Sequence, residues 1–284
     1  MKQSTVRESW VLFLLACIPL LLTPLAAEES TYTMMKDIPY REEADGDLTE
    51  AMRERCRLDL YCPAGRQGFA TVVWFHGGGL RSGEKEVPGQ LRGQEFAVAA
   101  VNYRLFPASK TADAIDDAAA ATAWVMREIE SHGGDPGRVF VAGYSAGGYL
   151  AALIALDESH LRNRGAEANR LAGVISLSGH MITHFTVREE RGIPGTQAVV
   201  DELAPLYHVR ADAPPLVLIT GDREKELLGR YEENAYMARM MKEVGHEGTK
   251  LIEIKGPDHG GMLEPAYPLL VEELARLNGE KTGE

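Results

Sequence analysis

The segment that most constrains the fold is residues 139–148, which read Val-Phe-Val-Ala-Gly-Tyr-Ser-Ala-Gly-Gly. The four leading apolar residues predict a short buried strand, and the apolar run at residues 149–156 predicts a buried helix. Between them stands the pattern G-x-S-x-G, centred on Ser145. A serine exposed at so sharp a strand-to-helix turn has a strained backbone, so the residues two before and two after it must lack bulk. The segment therefore predicts a strand, a tight turn that presents Ser145, and a helix.

Strand-like and helix-like segments alternate along most of the remaining chain. Further strands are expected at residues 58–61, 70–75, 97–101, 171–178, 214–220 and 250–254. Further helices are expected at residues 113–129, 230–244 and 265–277. This pattern predicts one α/β domain, over residues 28–284, with a large core. The polar residues 28–50 are expected to wrap loosely over the start of the sheet, which leaves residues 58–61 as an edge strand.

Three consecutive glycines follow His76 at the end of the predicted strand 70–75. Glycines after a strand leave backbone N–H groups uncovered and open to close approach by a ligand. Taken alone, the run is equally consistent with a flexible loop. Its place about seventy residues before G-x-S-x-G indicates instead a loop whose N–H groups stabilise a negatively charged oxygen.

The N-terminus has the three parts of a secretory signal peptide. Lys2 and Arg7 precede an apolar run at residues 10–22, and small residues follow up to Ala26 and Ala27. The run is too short for a comfortable membrane span. The sequence therefore predicts that residues 1–27 are a signal peptide, cleaved near Ala26 or Ala27, and that the protein is secreted or periplasmic.

The three cysteines bear on the N-terminus and on the redox state. Residues 14–17 resemble a bacterial lipoprotein box that would place a lipid on Cys17, although the following residues stay apolar where a tether is usually polar. An uncleaved anchor is a third interpretation. Cys56 and Cys62 lie in an alternating, strand-like segment, and six strand residues span about 20 Å. That span exceeds the ~4.4–6.8 Å between disulfide-linked Cα atoms, so these two cysteines are expected not to bridge each other.

The charge of the chain excludes some partners. A formal charge of −12 and the lack of a basic stripe make nucleic acid an unsuitable partner. His180 and His184 are four residues apart but have neither an H-E-x-x-H pattern nor a third ligand nearby. We therefore expect no metal and no cofactor, no nucleic acid, and no stable membrane partner unless Cys17 carries a lipid.

Four motifs carry a family resemblance. They are His-Gly-Gly-Gly at residues 76–79, Asn-Tyr-Arg-Leu at 102–105, Gly-Asp-Pro at 134–136 and Gly-Tyr-Ser-Ala-Gly-Gly at 143–148. In this order and spacing, over residues 58–277, the chain resembles the hormone-sensitive-lipase-like esterases and the bacterial group of acetyl-xylan and feruloyl esterases. The resemblance implies a three-layer α/β-hydrolase fold with a mostly parallel, twisted sheet and helices on both faces. The long N-terminal helical cap of the first group is missing, so no large cap domain is expected.

The same resemblance implies roles for particular residues. Ser145 would be the nucleophile, and the backbone N–H groups of Gly78, Gly79 and Ala146 would form the oxyanion hole. His259 lies on a glycine-flanked loop after the last predicted strand, where this fold places its general base.

Two carboxylates compete for the role of triad acid after the predicted strand 214–220. Family spacing places the acid three residues after Gly221, which is Glu224. Asp222 has the side chain more often used, at a position that is often acidic without being catalytic. We favour Glu224 and keep Asp222 as the alternative.

These residues predict a serine carboxylic-ester hydrolase for short-chain acyl esters, with acetyl or feruloyl groups on a polysaccharide as possible substrates. One alternative is a serine peptidase or amidase, related to prolyl oligopeptidases or arylformamidases. Another is a non-catalytic binding protein on the same scaffold. The partner expected for the site is a small-molecule or polysaccharide-linked ester, and the sequence does not indicate an oligomeric state.

Overall fold

In the described part of the chain, eight strands form a single sheet. The computed structural model describes residues 32–42 and 46–280. The predicted signal peptide and Cys17 lie outside these residues. The strands are β1 (Tyr32–Pro39), β2 (Arg57–Pro63), β3 (Phe69–Phe75), β4 (Ala97–Val101), β5 (Gly134–Tyr144), β6 (Gly173–Leu177), β7 (Leu216–Thr220) and β8 (Thr249–Glu253).

The sheet is mostly parallel, as predicted. Its strand order is β1-β2-β4-β3-β5-β6-β7-β8. The first two pairings, β1 with β2 and β2 with β4, are antiparallel, and all others are parallel. Every residue of β3, β4, β6 and β7 is buried. Such continuous apolar strands are typical of a parallel sheet that is covered on both faces.

Helices cover both faces of the sheet. They are α1 (Glu50–Arg55), α2 (Thr111–Glu128), α3 (Ala146–Leu156), α4 (Glu158–Arg162), α5 (Phe185–Glu190), α6 (Arg230–Glu243) and α7 (Leu263–Glu280). One hydrophobic cluster joins the sheet to α2, α3 and α6, and a second joins its other face to α7. The three-layer architecture is confirmed. None of the helices within the described ranges is both long and apolar enough to cross a membrane.

The prediction for residues 28–50 is wrong for residues 32–39, which form a strand. Strand β1 pairs antiparallel with β2, so β1 and not β2 is the edge strand. The sequence hid β1 because an edge strand half exposed to solvent carries charges such as Lys36 and Asp37. It is anchored at its start by Tyr32, whose ring stacks on Tyr61 of β2 with centroids 4.7 Å apart, and further along by Asp37, which pairs with Lys85.

Cys56 directly precedes β2 and Cys62 lies within it, and both are free and buried, which confirms that they do not bridge each other. Burial, with the nearby Asp117 carboxylate, raises the pKa of the Cys56 thiol to about 12. Burial also raises the pKa of Cys62. Both thiols are therefore protonated and shielded in the folded protein.

Candidate active site

The turn between β5 and α3 presents Ser145 at the carboxyl edge of the sheet. Ser145 has φ 55° and ψ −113°, a strained conformation for a residue with a side chain. A Cβ at Gly143 would lie 2.4 Å from the backbone carbon of Gly147, and one at Gly147 would lie 2.0 Å from the carbonyl oxygen of Phe75. The two flanking glycines are required because backbone touches backbone on both sides of the serine.

The structure brings His259 to Ser145, as the sequence predicts. Nε2 of His259 lies 3.0 Å from the Oγ of Ser145. The His259 ring stacks on Tyr144 with centroids 5.1 Å apart. The Tyr144 hydroxyl donates a hydrogen bond of 2.7 Å to the backbone carbonyl of His259. The residue before the serine therefore holds the loop that carries the histidine.

The carboxylate that meets His259 belongs to Glu226. Its Oε2 lies 3.0 Å from Nδ1 of His259, and the Glu226 side chain is only 1% exposed. Four donors converge on this carboxylate: His259 Nδ1, the Ser178 hydroxyl and the backbone N–H groups of Gly221 and Leu227. Burial raises the pKa of Glu226, but the hydrogen bonds outweigh burial and lower the pKa to about 2. Glu226 is thus ionised and oriented toward the imidazole at neutral pH.

The structure corrects the predicted acid, because neither Glu224 nor Asp222 lies against His259. The backbone N–H groups of Lys225 and Glu226 both donate to the carbonyl of Asp222, which closes a turn and aims Glu226 back at the histidine. The Asp222 carboxylate accepts bonds from the N–H groups of Gly256 and Glu224, at 2.7 and 3.0 Å. Asp222 therefore ties two loops together, and Glu224 is exposed.

Ser178 is a site residue that the sequence analysis missed. Its hydroxyl donates a 2.8 Å bond to Oε1 of Glu226 and lies 3.0 Å from Nδ1 of His259. Its carbonyl accepts a hydrogen bond from the buried Arg230. A signal was present, because Ser178 directly follows β6, and β6 lies between β5 and β7 in a parallel sheet. A polar residue at that point must fall between the serine and the acid loop.

The loop after β3 has the shape expected of an oxyanion hole. Gly78 and Gly79 have φ values of 106° and 63°, and a Cβ at Gly78 would lie 2.1 Å from the carbonyl oxygen of Ser82. Among residues 32–42 and 46–280, the N–H groups of Gly78, Gly79 and Ala146 donate to no acceptor. Ala146 is the first residue of α3, so its N–H lies at the positive end of the helix dipole. These free N–H groups suit an anionic oxygen.

Residues 179–205 fold partly into α5 and pack on the oxyanion loop. The Thr186 hydroxyl donates a 2.5 Å bond to the carbonyl of Gly79. The Phe185 ring would lie 3.1 Å from a Cβ placed at Gly79. Phe185 is partly exposed, and its ring forms a bulky wall against the oxyanion loop at Gly79.

A second histidine–glutamate pair, which is buried, joins this segment to α6. Nδ1 of His180 lies 2.8 Å from Oε2 of Glu233, which also accepts from the N–H of Met181. The rings of His180 and His184 meet edge to face with centroids 4.9 Å apart. Within the described ranges, no three His, Cys, Asp or Glu side chains are grouped to hold a metal ion.

Serine, glutamate and histidine follow one another along the chain in the order of the α/β-hydrolases, at the carboxyl edge of a mostly parallel sheet. This fold and site define an α/β-hydrolase. More closely, the chain belongs to the BD-FAE family, whose sequence model matches residues 58–233, more than half of the chain. The matched region includes Ser145, Ser178 and Glu226 and ends before His259.

Curated relatives include esterases of plants and bacteria. The chain is 26% identical to a probable isoprenylcysteine α-carbonyl methylesterase of Arabidopsis thaliana, over 88% of this chain and 59% of that protein. It is 34% identical to the carboxylesterase NlhH of Mycobacterium tuberculosis, over 48% of this chain and 40% of that protein. The chain thus spans about two fifths to three fifths of the length of these relatives.

Solved structures share the fold. A truncated carbohydrate esterase from gut microbiota superposes with a TM-score of 0.70 at 17% identity, covering 88% of this chain and 98% of that chain. A butyrate-bound thermophilic esterase of Thermogutta terrifontis superposes with a TM-score of 0.62 at 25% identity, covering 80% of this chain and 90% of that chain.

Proposed function

We propose that the protein is a serine esterase that hydrolyses short-chain carboxylic esters at Ser145. The observation that carries the proposal is the continuous contact from the Oγ of Ser145 to Nε2 of His259, and from its Nδ1 to the buried carboxylate of Glu226, at 3.0 Å each. The relatives named as esterases and carboxylesterases support the same chemistry.

The reaction follows from these contacts. Nε2 of His259 takes the proton of the Ser145 hydroxyl as Oγ attacks the ester carbonyl. The N–H groups of Gly78, Gly79 and Ala146 stabilise the oxyanion of the tetrahedral intermediate. When the intermediate collapses, the C–O bond to the alcohol breaks and His259 returns the proton to the leaving oxygen. A water molecule, deprotonated by His259, then releases the acyl group from Ser145 by the same route.

The wall at Phe185 supports a preference for short acyl groups, since its ring stands directly beside the oxyanion loop. Butyrate, which is bound in the Thermogutta terrifontis esterase, is also a short acyl group. We therefore propose acetyl as the acyl group, with feruloyl as the competing candidate.

Hydrolysis of p-nitrophenyl acetate, butyrate, octanoate and palmitate, beside methyl ferulate and acetylated xylan, tests this proposal. We expect activity to fall steeply beyond butyrate, and Ser145→Ala to abolish it. Phe185→Ala should extend activity toward octanoate, because it removes the wall. A Ser145→Ala protein with the original rate would refute the proposal. Labelling of Ser145 by an organophosphonate without any esterase activity would assign the site to amides or peptides instead.

We also propose export, supported by the composition of residues 1–27. Expression of the full chain in a bacterium should yield a protein outside the cytoplasm that begins at residue 27 or 28. Recovery of an uncleaved N-terminus, or of a lipid on Cys17, would contradict cleavage at that position.

A further inference from the structure

Three buried side chains on one face of α6 bond to the segment that follows β6. Arg230, Glu233 and Asn234 are spaced as i, i+3 and i+4, so they lie on the same side of the helix. The bonds to residues 178–182 run from Arg230 Nη1 to the carbonyl of Ser178, from Asn234 Nδ2 to the carbonyl of Gly179 at 2.9 Å, and to the Glu233 carboxylate from His180 Nδ1 and the N–H groups of Met181 and Ile182. The first turns of α6 therefore hold the backbone that leads away from β6.

Ser178, the first residue of this segment, has a strained backbone with a φ of 47°. Its N–H donates to the carbonyl of Ile219 at 2.7 Å, and its carbonyl accepts from Arg230. The next residue packs closely on α3, because a Cβ at Gly179 would lie 2.5 Å from the backbone carbon of Gly148. A strained conformation persists only where its surroundings hold it. The bond from Arg230 supplies that support to Ser178 from the side of α6.

The conformation of Ser178 decides where its hydroxyl points. The hydroxyl donates to Oε1 of Glu226 at 2.8 Å, and Oε2 of the same carboxylate lies 3.0 Å from Nδ1 of His259. Resting on the proposed function, we propose that Arg230 is a positioning residue for ester hydrolysis, which holds the Ser178 backbone so that the Ser178 hydroxyl orients the triad acid.

The surroundings of Arg230 support this role over one in stability alone. Arg230 is 1% exposed, and among the described residues its guanidinium donates to the Ser178 carbonyl while Nε has no partner. Burying a charge with so few hydrogen bonds costs folding free energy. Arg41 is a contrast, because this buried guanidinium donates to Asp116 and Asp117 at 2.6 Å each. The strongest contact of Arg230 is thus with the residue that orients Glu226.

A double-mutant cycle tests whether Arg230 acts through the Ser178 hydroxyl. Arg230→Met removes the donor and should lower kcat for p-nitrophenyl acetate about three- to tenfold, as expected for the loss of one hydrogen bond. KM should change less than about twofold, because the bond acts on the acid rather than on the substrate. In a Ser178→Ala background the hydroxyl is already absent, so Arg230→Met should lower kcat by less than about twofold more.

Two further variants separate positioning from packing. Arg230→Lys keeps a positive charge and an N–H donor, and its kcat should lie within about threefold of wild type. The matched control is Arg41→Met, which removes another buried guanidinium; it should lower stability in urea but change kcat less than about twofold. Urea unfolding verifies that each variant is folded. If Arg230→Met does not fold, Arg230→Gln, whose shorter side chain also withdraws the donor from Ser178, takes its place in the cycle.

The outcomes separate the inference from the proposed function. Equal losses of kcat from Arg230→Met in both backgrounds would overturn the inference, as would no loss in either. Arg230→Lys or Arg41→Met as slow as Arg230→Met would assign the effect to packing and would also overturn it. Wild-type protein that hydrolyses no ester would instead refute the proposed function. The rate at which an organophosphonate labels Ser145 would then give the same cycle a second readout, because that reaction also needs an activated serine.

Discussion

Within the described residues, two histidines pair with buried glutamates, and only one of these two pairs meets a nucleophile. Nδ1 lies 3.0 Å from a carboxylate oxygen in His259–Glu226 and 2.8 Å in His180–Glu233. Nε2 of His259 faces Ser145, whereas Nε2 of His180 is buried and has no partner in the described part of the chain. Hydrogen bonds from His259, Gly221 and Ser178 lower the pKa of Glu226 to about 2, while burial raises the pKa of Glu233. A histidine–glutamate pair therefore does not by itself make a catalytic site. Its role depends on which group contacts Nε2 and on how strongly hydrogen bonds stabilise the ionised carboxylate.

The difference between the two pairs is tested most directly by making the same substitution, glutamate to glutamine, in both. Glu226→Gln should lower kcat for p-nitrophenyl acetate about 10²- to 10⁴-fold, because an amide does not hold His259 in the required tautomer or stabilise its charged form. Glu233→Gln should leave kcat within about tenfold but lower stability by about 1–3 kcal/mol, since buried hydrogen bonds to His180 and Met181 are disturbed. Steady-state kinetics and urea unfolding of both variants measure this. Equal losses of activity would show that the second pair also serves catalysis.

A smaller effect is expected at Ser178, which distinguishes the first pair from the second. Ser178→Ala removes one of the four donors to Glu226 and should lower kcat about tenfold, with KM unchanged, as expected for one hydrogen bond to a charged group. Ser176→Ala is the matched control, since Ser176 is equally buried but its hydroxyl has no partner among the described residues. A similar loss in both variants would show a packing effect rather than orientation of Glu226.

The buried histidines, which include His180 of the second pair, should make the stability of the protein depend on pH, rather than its activity. Burial lowers the pKa values of four histidines, namely His76, His160, His180 and His184. The unfolded chain therefore binds more protons below about pH 6.5, and stability falls as pH decreases through that value. Each such histidine contributes a slope of up to about 1.4 kcal/mol per pH unit.

Urea unfolding at several pH values between about 5 and 7.5 tests this sign. His184→Asn should flatten the slope, because asparagine does not titrate yet can still cap α5 as the His184 ring does. A slope that is unchanged in this variant would show that His184 does not take part. A slope of the opposite sign would mean that Glu233, whose raised pKa stabilises the fold toward acid pH, outweighs the histidines.

The smallest effects are expected for the carboxylates beside Glu226. Glu224→Gln should leave kcat within about twofold, because the side chain is exposed. Asp222→Asn should also keep most of the activity, since it retains one acceptor for the neighbouring loop. Rates for p-nitrophenyl acetate check both variants, and a hundredfold loss in Glu224→Gln would favour the spacing-based assignment over the observed geometry.

These differences also show how far the sequence alone could go. The turn at Ser145 was predictable because it depends only on neighbouring residues. Two positions near the serine must be glycine, since a Cβ at either one would clash with the backbone. The acid was not predictable, because Asp222, Glu224 and Glu226 lie within one short loop. Which of the three carboxylates points at the histidine depends on the turn whose N–H groups donate to the Asp222 carbonyl, and this turn is visible only in the structure. Strand β1 was missed because an exposed edge strand depends on its neighbour rather than on its own apolar pattern.

The two buried thiols give the protein an internal reporter of chain opening. Cys56 is 1% exposed and Cys62 is 3% exposed. Cys56 directly precedes β2 and Cys62 lies within it, and β2 joins the antiparallel edge of the sheet to its parallel part. An alkylating reagent reacts only with an accessible thiolate, so modification requires β2 to separate from the sheet. The rate of alkylation under native conditions, compared with global unfolding, would therefore measure whether this edge opens as an independent unit.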